Sequence, residues 1–211
     1  MGSPDLLAAV TSLSRAEAAL RRIVTDLRDL RHRFALIGGL AVSIRTEPRL
    51  TRDADLAVTV ADDRDAEALV LALQGRGWRV VTAIEQDAAG RLATVRLAPA
   101  GDFATGTVVD LLFASSGIEP EIVAAAEPIE SVPGLTTPVA RLGHLVALKV
   151  LARDDRLRPH DRVDLAALLS RADTAALEEA REALAMITRR GFHRGRDLLA
   201  ALDAALNEFR G

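Results

Sequence analysis

FALIGGLAVSIRTEPRLTRDADLAVTV, residues 34–60, decides the fold of this chain. Phe34 to Ile37 is a short apolar run of strand length, interrupted by Gly38 and Gly39. LAVSIRTE then reads as a helix, and from Asp53 the run DADLAVTV reads as a strand. Strand, glycine turn, helix and strand thus follow one another within 27 residues.

Working outward, residues about 4–32 place Leu20, Ile23, Val24, Leu27 and Leu30 at helical spacing, which predicts an amphipathic N-terminal helix. Downstream, Asp65 to Gln74 reads as a helix closed by Gly75 and Gly77. WRVVTAI and RLATVRLA read as strands, PAGDFATG as a polar loop, and GTVVDLLF as the most apolar strand of the chain. These elements predict a mixed sheet flanked by helices. EPIESVPGLTTP, rich in proline, reads as a connection, with Thr137 as an N-cap and Pro138 in the first helical position. Pro159 opens a further helix in the same way. The expected class is α+β: an N-terminal helix over 1–33, a mixed-sheet core over 34–126, and a connection with a helical half over 127–211.

Composition narrows the chemistry. The chain has 211 residues, 49% of them hydrophobic, and a formal net charge of -3, so a broadly basic nucleic-acid footprint is absent and any such contact must be local. With no cysteine, disulfides, thiolate nucleophiles and the usual structural zinc sites are excluded. His32, His144, His160 and His193 lack ligand spacing and read as surface or packing residues. The start, MGSPDLLAAVTSLSR, has neither the basic opening nor the apolar core of a signal peptide, and a cytoplasmic protein without a membrane span is expected.

Asp53 and Asp55 stand two apart at a strand start, so their carboxylates share a face of the sheet and repel unless a cation lies between them. The plainer alternative is a solvated turn. Asp110 adds weight because it interrupts VVDLLF, where an unpaired charge is costly. Its alternative is a core carboxylate satisfied by an arginine or backbone donors. Three carboxylates without cysteine or histidine partners suit a hard cation, Mg²⁺ or Mn²⁺. Gly38 and Gly39 open a helix whose N–H groups can receive phosphate, although a glycine pair is more often a plain turn. Lys149 is the only lysine among 27 lysines plus arginines, and it shares a helix face with Leu142, Leu145 and Val146. Either it snorkels, or its compact ammonium is aimed at phosphate.

In this order and spacing, GG, RLTRDADL and the later Asp110 resemble the signature of polymerase-beta-type nucleotidyltransferases. The wording is most similar to the AbiEii-type and MenT-type toxin branch, matched by Arg49, Thr51, Asp53 and Asp55. The same branch has a lysine-bearing helix followed by an R...D..DL stretch, supplied here by Lys149, Arg156, Asp161, Asp164 and Leu165. The resemblance covers about residues 34–170. It departs at Gly39, where many members carry serine, and it leaves open which of Asp161 and Asp164 is the functional acid.

The resemblance implies in-line attack of an acceptor hydroxyl on the α-phosphorus of an NTP. Asp53, Asp55 and Asp110 would hold the metal ions. Gly38, Gly39, Arg49, Thr51, Lys149, Asp161 and Asp164 would bind the nucleotide, with Lys149 neutralising the triphosphate. Three classes of role stay open: a toxin acting on the tRNA 3′ end and silenced by a cognate antitoxin, a transferase acting on a protein or small molecule, including the antitoxin type that modifies a partner toxin, and a catalytically idle binding module. Arg189, Arg190, His193, Arg194 and Arg196 form the densest basic run and are the expected RNA contact, the alternative being a solvated helix connection.

Overall fold

Four consecutive buried residues make β1 (Phe34–Ile37) an interior strand, covered on both faces. The computed structural model describes residues 4–47, 51, 53–86, 90–100, 107–154 and 159–210. Before β1 runs α1 (Pro4–Asp29), whose Leu20, Ile23, Val24 and Leu27 are fully buried. Asp26 on its other flank accepts hydrogen bonds from the Trp78 indole at 2.7 Å and from Arg76 at 3.0 Å, pinning the helix to the far side of the sheet.

The order continues α2 (Gly38–Arg45), β2 (Asp53–Val58), α3 (Asp63–Gly75), β3 (Trp78–Gln86), β4 (Arg91–Pro99), β5 (Val108–Leu112), α4 (Glu119–Ala125), β6 (Glu127–Val132) and β7 (Leu135–Val139). Then come α5 (Leu142–Ala152), α6 (Pro159–Arg171), α7 (Thr174–Arg189) and α8 (Leu198–Arg210). The seven strands form one mixed sheet in the order β3-β4-β5-β2-β1-β7-β6. β2 lies antiparallel to β1 and parallel to β5, and β1 lies parallel to β7. The α+β class with a mixed sheet, flanking helices and a helical C-terminal half is therefore what the chain adopts.

One element differs from the sequence expectation. EPIESVPGLTTP is no loop: it forms the β6–β7 hairpin, turning at Gly134 with φ +73. Thr137 and Pro138 lie within β7, so neither starts a helix, and α5 begins at Leu142 with no side-chain cap. The prolines are tolerated because Pro128 and Pro138 face each other across the hairpin, and β7 meets β1 in register only at Val139 with Leu36. The other boundaries move less: α2 starts at the glycines themselves and α3 at Asp63, where Asp62 accepts from the Asp65 amide.

The helical half packs on the cleft side. α5 contacts α6, α7 and α8, and both α5 and α6 contact α2. A single hydrophobic cluster runs from α1 through the sheet to α8. No helix among the described residues is long and apolar enough to cross a membrane.

Candidate active site

Neighbouring strands bring the acidic residues together. Asp53 and Asp55 alternate with buried Ala54 and Leu56 along β2, and the parallel register sets Asp55 beside Asp110 of β5. On its other side Asp55 is in register with Ile37, the last residue of β1 before the glycines. The carboxylate of Asp55 thus lies under the start of α2. Burial first, then the charges of Asp110 and Asp53, raise its pKa from 3.8 to about 7, against the lowering effects of Lys149 and the Gly39 amide.

Gly38 is fitted to that carboxylate. Its φ is +64, and a Cβ built there would lie 1.9 Å from Oδ2 of Asp55. No side chain could stand at this position without moving Asp55. Ile37, the N-cap of α2, makes no side-chain cap hydrogen bond; the Gly39 amide bonds the Asp55 carboxylate instead.

Opposite, α5 presents Lys149. Its ammonium lies 2.6 Å from Asp161 Oδ1 and 2.8 Å from Asp164 Oδ2, both on α6. The choice between the two acids, open in the sequence, has a simple outcome: one turn of helix brings both to the same lysine. Asp161 also lines the cleft, whereas Asp164 is almost wholly buried behind it.

The cleft between sheet and helical half has a volume of about 460 Å³. Gly38, Gly39, Asp55, Asp110, Lys149 and Asp161 all border it. Thr51 stands at the foot of β2, where its hydroxyl lies 3.4 Å from the Asp53 carbonyl oxygen, and it does not line the cleft. Arg49 and Arg156 lie outside the described residues.

A family match completes the picture. The nucleotidyl transferase AbiEii toxin family, assigned to type IV toxin–antitoxin systems, matches residues 19–210. The chain belongs to the AbiEii family. It is accordingly a nucleotidyltransferase of a toxin–antitoxin family. The AbiEii match extends over the second part of α1 and the last helices, which the motif resemblance did not reach. No curated protein matches significantly. Among solved structures, the chain is similar to an antigenic nucleotidyltransferase-like protein of Paracoccidioides brasiliensis, with 19% identity and TM-score 0.47, covering 96% of this chain and 94% of that one. It is also similar to the lincosamide antibiotic adenylyltransferase LnuA in its lincomycin-bound form, with 13% identity, TM-score 0.48 and 74% and 98% coverage. For the antibiotic-resistance factor ANT(2'')-Ia the values are 18%, 0.46, 94% and 92%.

One participant escaped the sequence reading. Arg96, directly opposite Asp110 in the β4–β5 register, grips it with two parallel hydrogen bonds, Nε to Oδ1 at 2.8 Å and Nη2 to Oδ2 at 2.7 Å. The arginine-satisfied alternative for Asp110 is therefore present in the free chain. The only prior signal was a charged residue between Val95 and Leu97 within the strand RLATVRLA. Consistent with that grip, no group of three or more His, Asp or Glu side chains among the described residues stands ready-made for a metal ion. The donor chemistry still suits a hard cation: three carboxylates share one face, and the charges of Asp110 and Asp53 add to burial in lifting Asp55.

The basic run separates on folding. Arg190 pairs with Glu121 at 2.7 Å and also donates to the Gly117 carbonyl oxygen. Arg196 donates to the carbonyl oxygens of Val150 and Leu151 at 3.1 Å, closing the end of α5. Both hold structure together, which corrects the expectation of one continuous RNA-facing patch. Arg194, between them, borders the cleft.

Proposed function

We propose that this AbiEii-family chain transfers a nucleoside monophosphate from an NTP to an RNA acceptor, the tRNA 3′ end, using Mg²⁺ or Mn²⁺ held by Asp53, Asp55 and Asp110. The observation that carries the proposal is the convergence of the α2 glycines, Asp55, Asp110, Lys149 and Asp161 on one cleft, with Asp53 on the same face of β2 as Asp55 and Asp164 behind Lys149. It acts in the cytoplasm, where NTP and tRNA are found, and a cognate antitoxin restrains it.

The start of α2 at Gly38 and Gly39 receives the triphosphate, where the helix dipole favours negative charge. Lysine has three N–H donors, and two are directed to Asp161 and Asp164. The remaining one serves a phosphate oxygen, with the two acids fixing its direction. The acceptor oxygen bonds to the α-phosphorus as the bond to the β-phosphate bridge breaks, the hydroxyl proton passes to solvent, and pyrophosphate leaves. Bound divalent cations supply charge neutralisation and lower the pKa of the acceptor hydroxyl. Thr51 braces the entry of β2, and Arg49 acts on the nucleotide as the family resemblance implies.

RNA as acceptor is favoured by Arg194 at the cleft and by the toxin family. The test is incubation with each α-labelled NTP, Mg²⁺ and total cell lysate. Label in tRNA-sized RNA, falling as salt rises, is the expected result. Label in a protein band would assign a protein acceptor, and no label in any fraction would leave an idle binding module.

A further inference from the structure

Asp110 carries two assignments that conflict. As a cation ligand it must offer its carboxylate to a metal ion, yet both of its oxygens are engaged by the Arg96 fork. The guanidinium is also attracted by Asp53 and Asp55, so Arg96 serves all three acids as a built-in counter-cation. Its side chain is 44% exposed and borders the cleft, whereas the side chain of Asp110 is only 12% exposed. The more accessible partner is the arginine.

We infer that Arg96 is a nucleotide-responsive positioning residue, which occupies Asp110 in the empty enzyme and moves to the incoming triphosphate, releasing Asp110 to the cation. The inference rests on the cation-site assignment above and deepens it. A triphosphate brings several negative charges into the cleft that Arg96 already lines. Guanidinium binds phosphate oxygens through the same planar fork that it offers a carboxylate. Exchange of one anion for the other therefore loses little, while the vacated acids gain a divalent ion in place of a monovalent one. Cation and nucleotide binding are coupled as a consequence, and each strengthens the other by the same factor. An empty enzyme of this design holds metal weakly, and its acids stay neutralised without it.

The test compares wild type with Arg96→Gln and Arg96→Lys by Mn²⁺ binding, followed by electron paramagnetic resonance, with and without a non-hydrolysable NTP analogue. Wild type should bind Mn²⁺ about tenfold or more tightly with the analogue than without it. In Arg96→Gln the metal should bind the free enzyme about tenfold more tightly than in wild type, since one positive charge is gone from the site. The analogue should then add little. Arg96→Lys, which keeps the charge without the fork, should fall between. Thermal melting separates this from a purely structural pair: Arg96→Gln should melt lower than wild type in EDTA and gain more from Mn²⁺. Unchanged or weaker Mn²⁺ binding by free Arg96→Gln, with wild-type coupling to the analogue, would overturn the role of Arg96 alone. Failure of wild type to bind either Mn²⁺ or the analogue would overturn the cation-site assignment and this inference with it.

Discussion

Gly38→Ala adds one methyl group at the point where α2 meets the Asp55 carboxylate, and two separate effects can be worked out. The first is conformational: alanine at φ +64 costs on the order of 1–2 kcal/mol relative to glycine. The second is steric. The new Cβ would lie 1.9 Å from Oδ2, 2.5 Å from Cγ and 2.7 Å from Cβ of Asp55, so one of the two residues must retreat by about 1 Å or more. Displacement on that scale costs roughly 100-fold in rate when it falls on a reacting group. Gly134→Ala isolates the first effect, because Gly134 has φ +73 in the β6–β7 turn and open space around it. Gly134→Ala should lose stability of order 1–2 kcal/mol, a fall in Tm of roughly 2–8 °C for a chain of this size, and Gly38→Ala should lose more because of the clash with Asp55. Only Gly38→Ala should also lose about 100-fold or more in label transfer from NTP. Near wild-type transfer by Gly38→Ala, or equal losses in the two variants, would refute the close fit of α2 to Asp55.

Further outcomes follow from the same geometry. Lys149→Arg should lose most of its activity and bind NTP more weakly, as measured by turnover and by nucleotide titration, because a planar fork cannot repeat the ammonium's contacts with Asp161 and Asp164. Asp55 gives a pH dependence. Its pKa is higher in the folded chain, about 7, than its ordinary 3.8, so the cation-free protein should lose stability as pH rises from about 4 to 7, by up to about 4 kcal/mol from this group. Urea unfolding in EDTA at pH 5 and pH 8 checks the sign, and calorimetry in two buffers should detect proton release when Mg²⁺ binds near pH 7. Arg194→Gln should weaken RNA binding at low salt while sparing NTP affinity. Arg190→Gln should instead lower Tm, since Arg190 ties the end of α7 to Glu121.

The sheet core was legible because its signals are local. Apolar runs bounded by glycine marked β1 and β5, and in β2 the paired Asp53 and Asp55 declared their common face through the period of two. The β6–β7 hairpin was hidden because Pro128, Pro133, Gly134 and Pro138 are turn residues by composition, and only the pairing that places Pro128 opposite Pro138 makes them acceptable in strands. Arg96 was hidden for a different reason. Its meaning comes from a cross-strand register over 14 residues, with part of the intervening loop outside the described chain. Asp161 and Asp164 were found as a pair, but their shared grip on Lys149 depends on how α6 packs against α5. The basic run misled because a run of charge in sequence carries no information about which members the fold itself employs.

The most direct test of the central claim is label transfer from α-labelled NTP, with pyrophosphate release, by Asp53→Asn, Asp55→Asn and Asp110→Asn enzymes shown by circular dichroism to be folded. Each variant should fall by about 1000-fold or more, and wild type in EDTA should do the same, because all three carboxylates are needed to hold the cations that neutralise the transferring phosphate. Undiminished transfer in any one of the three variants, or in wild type stripped of divalent cations, would contradict the account.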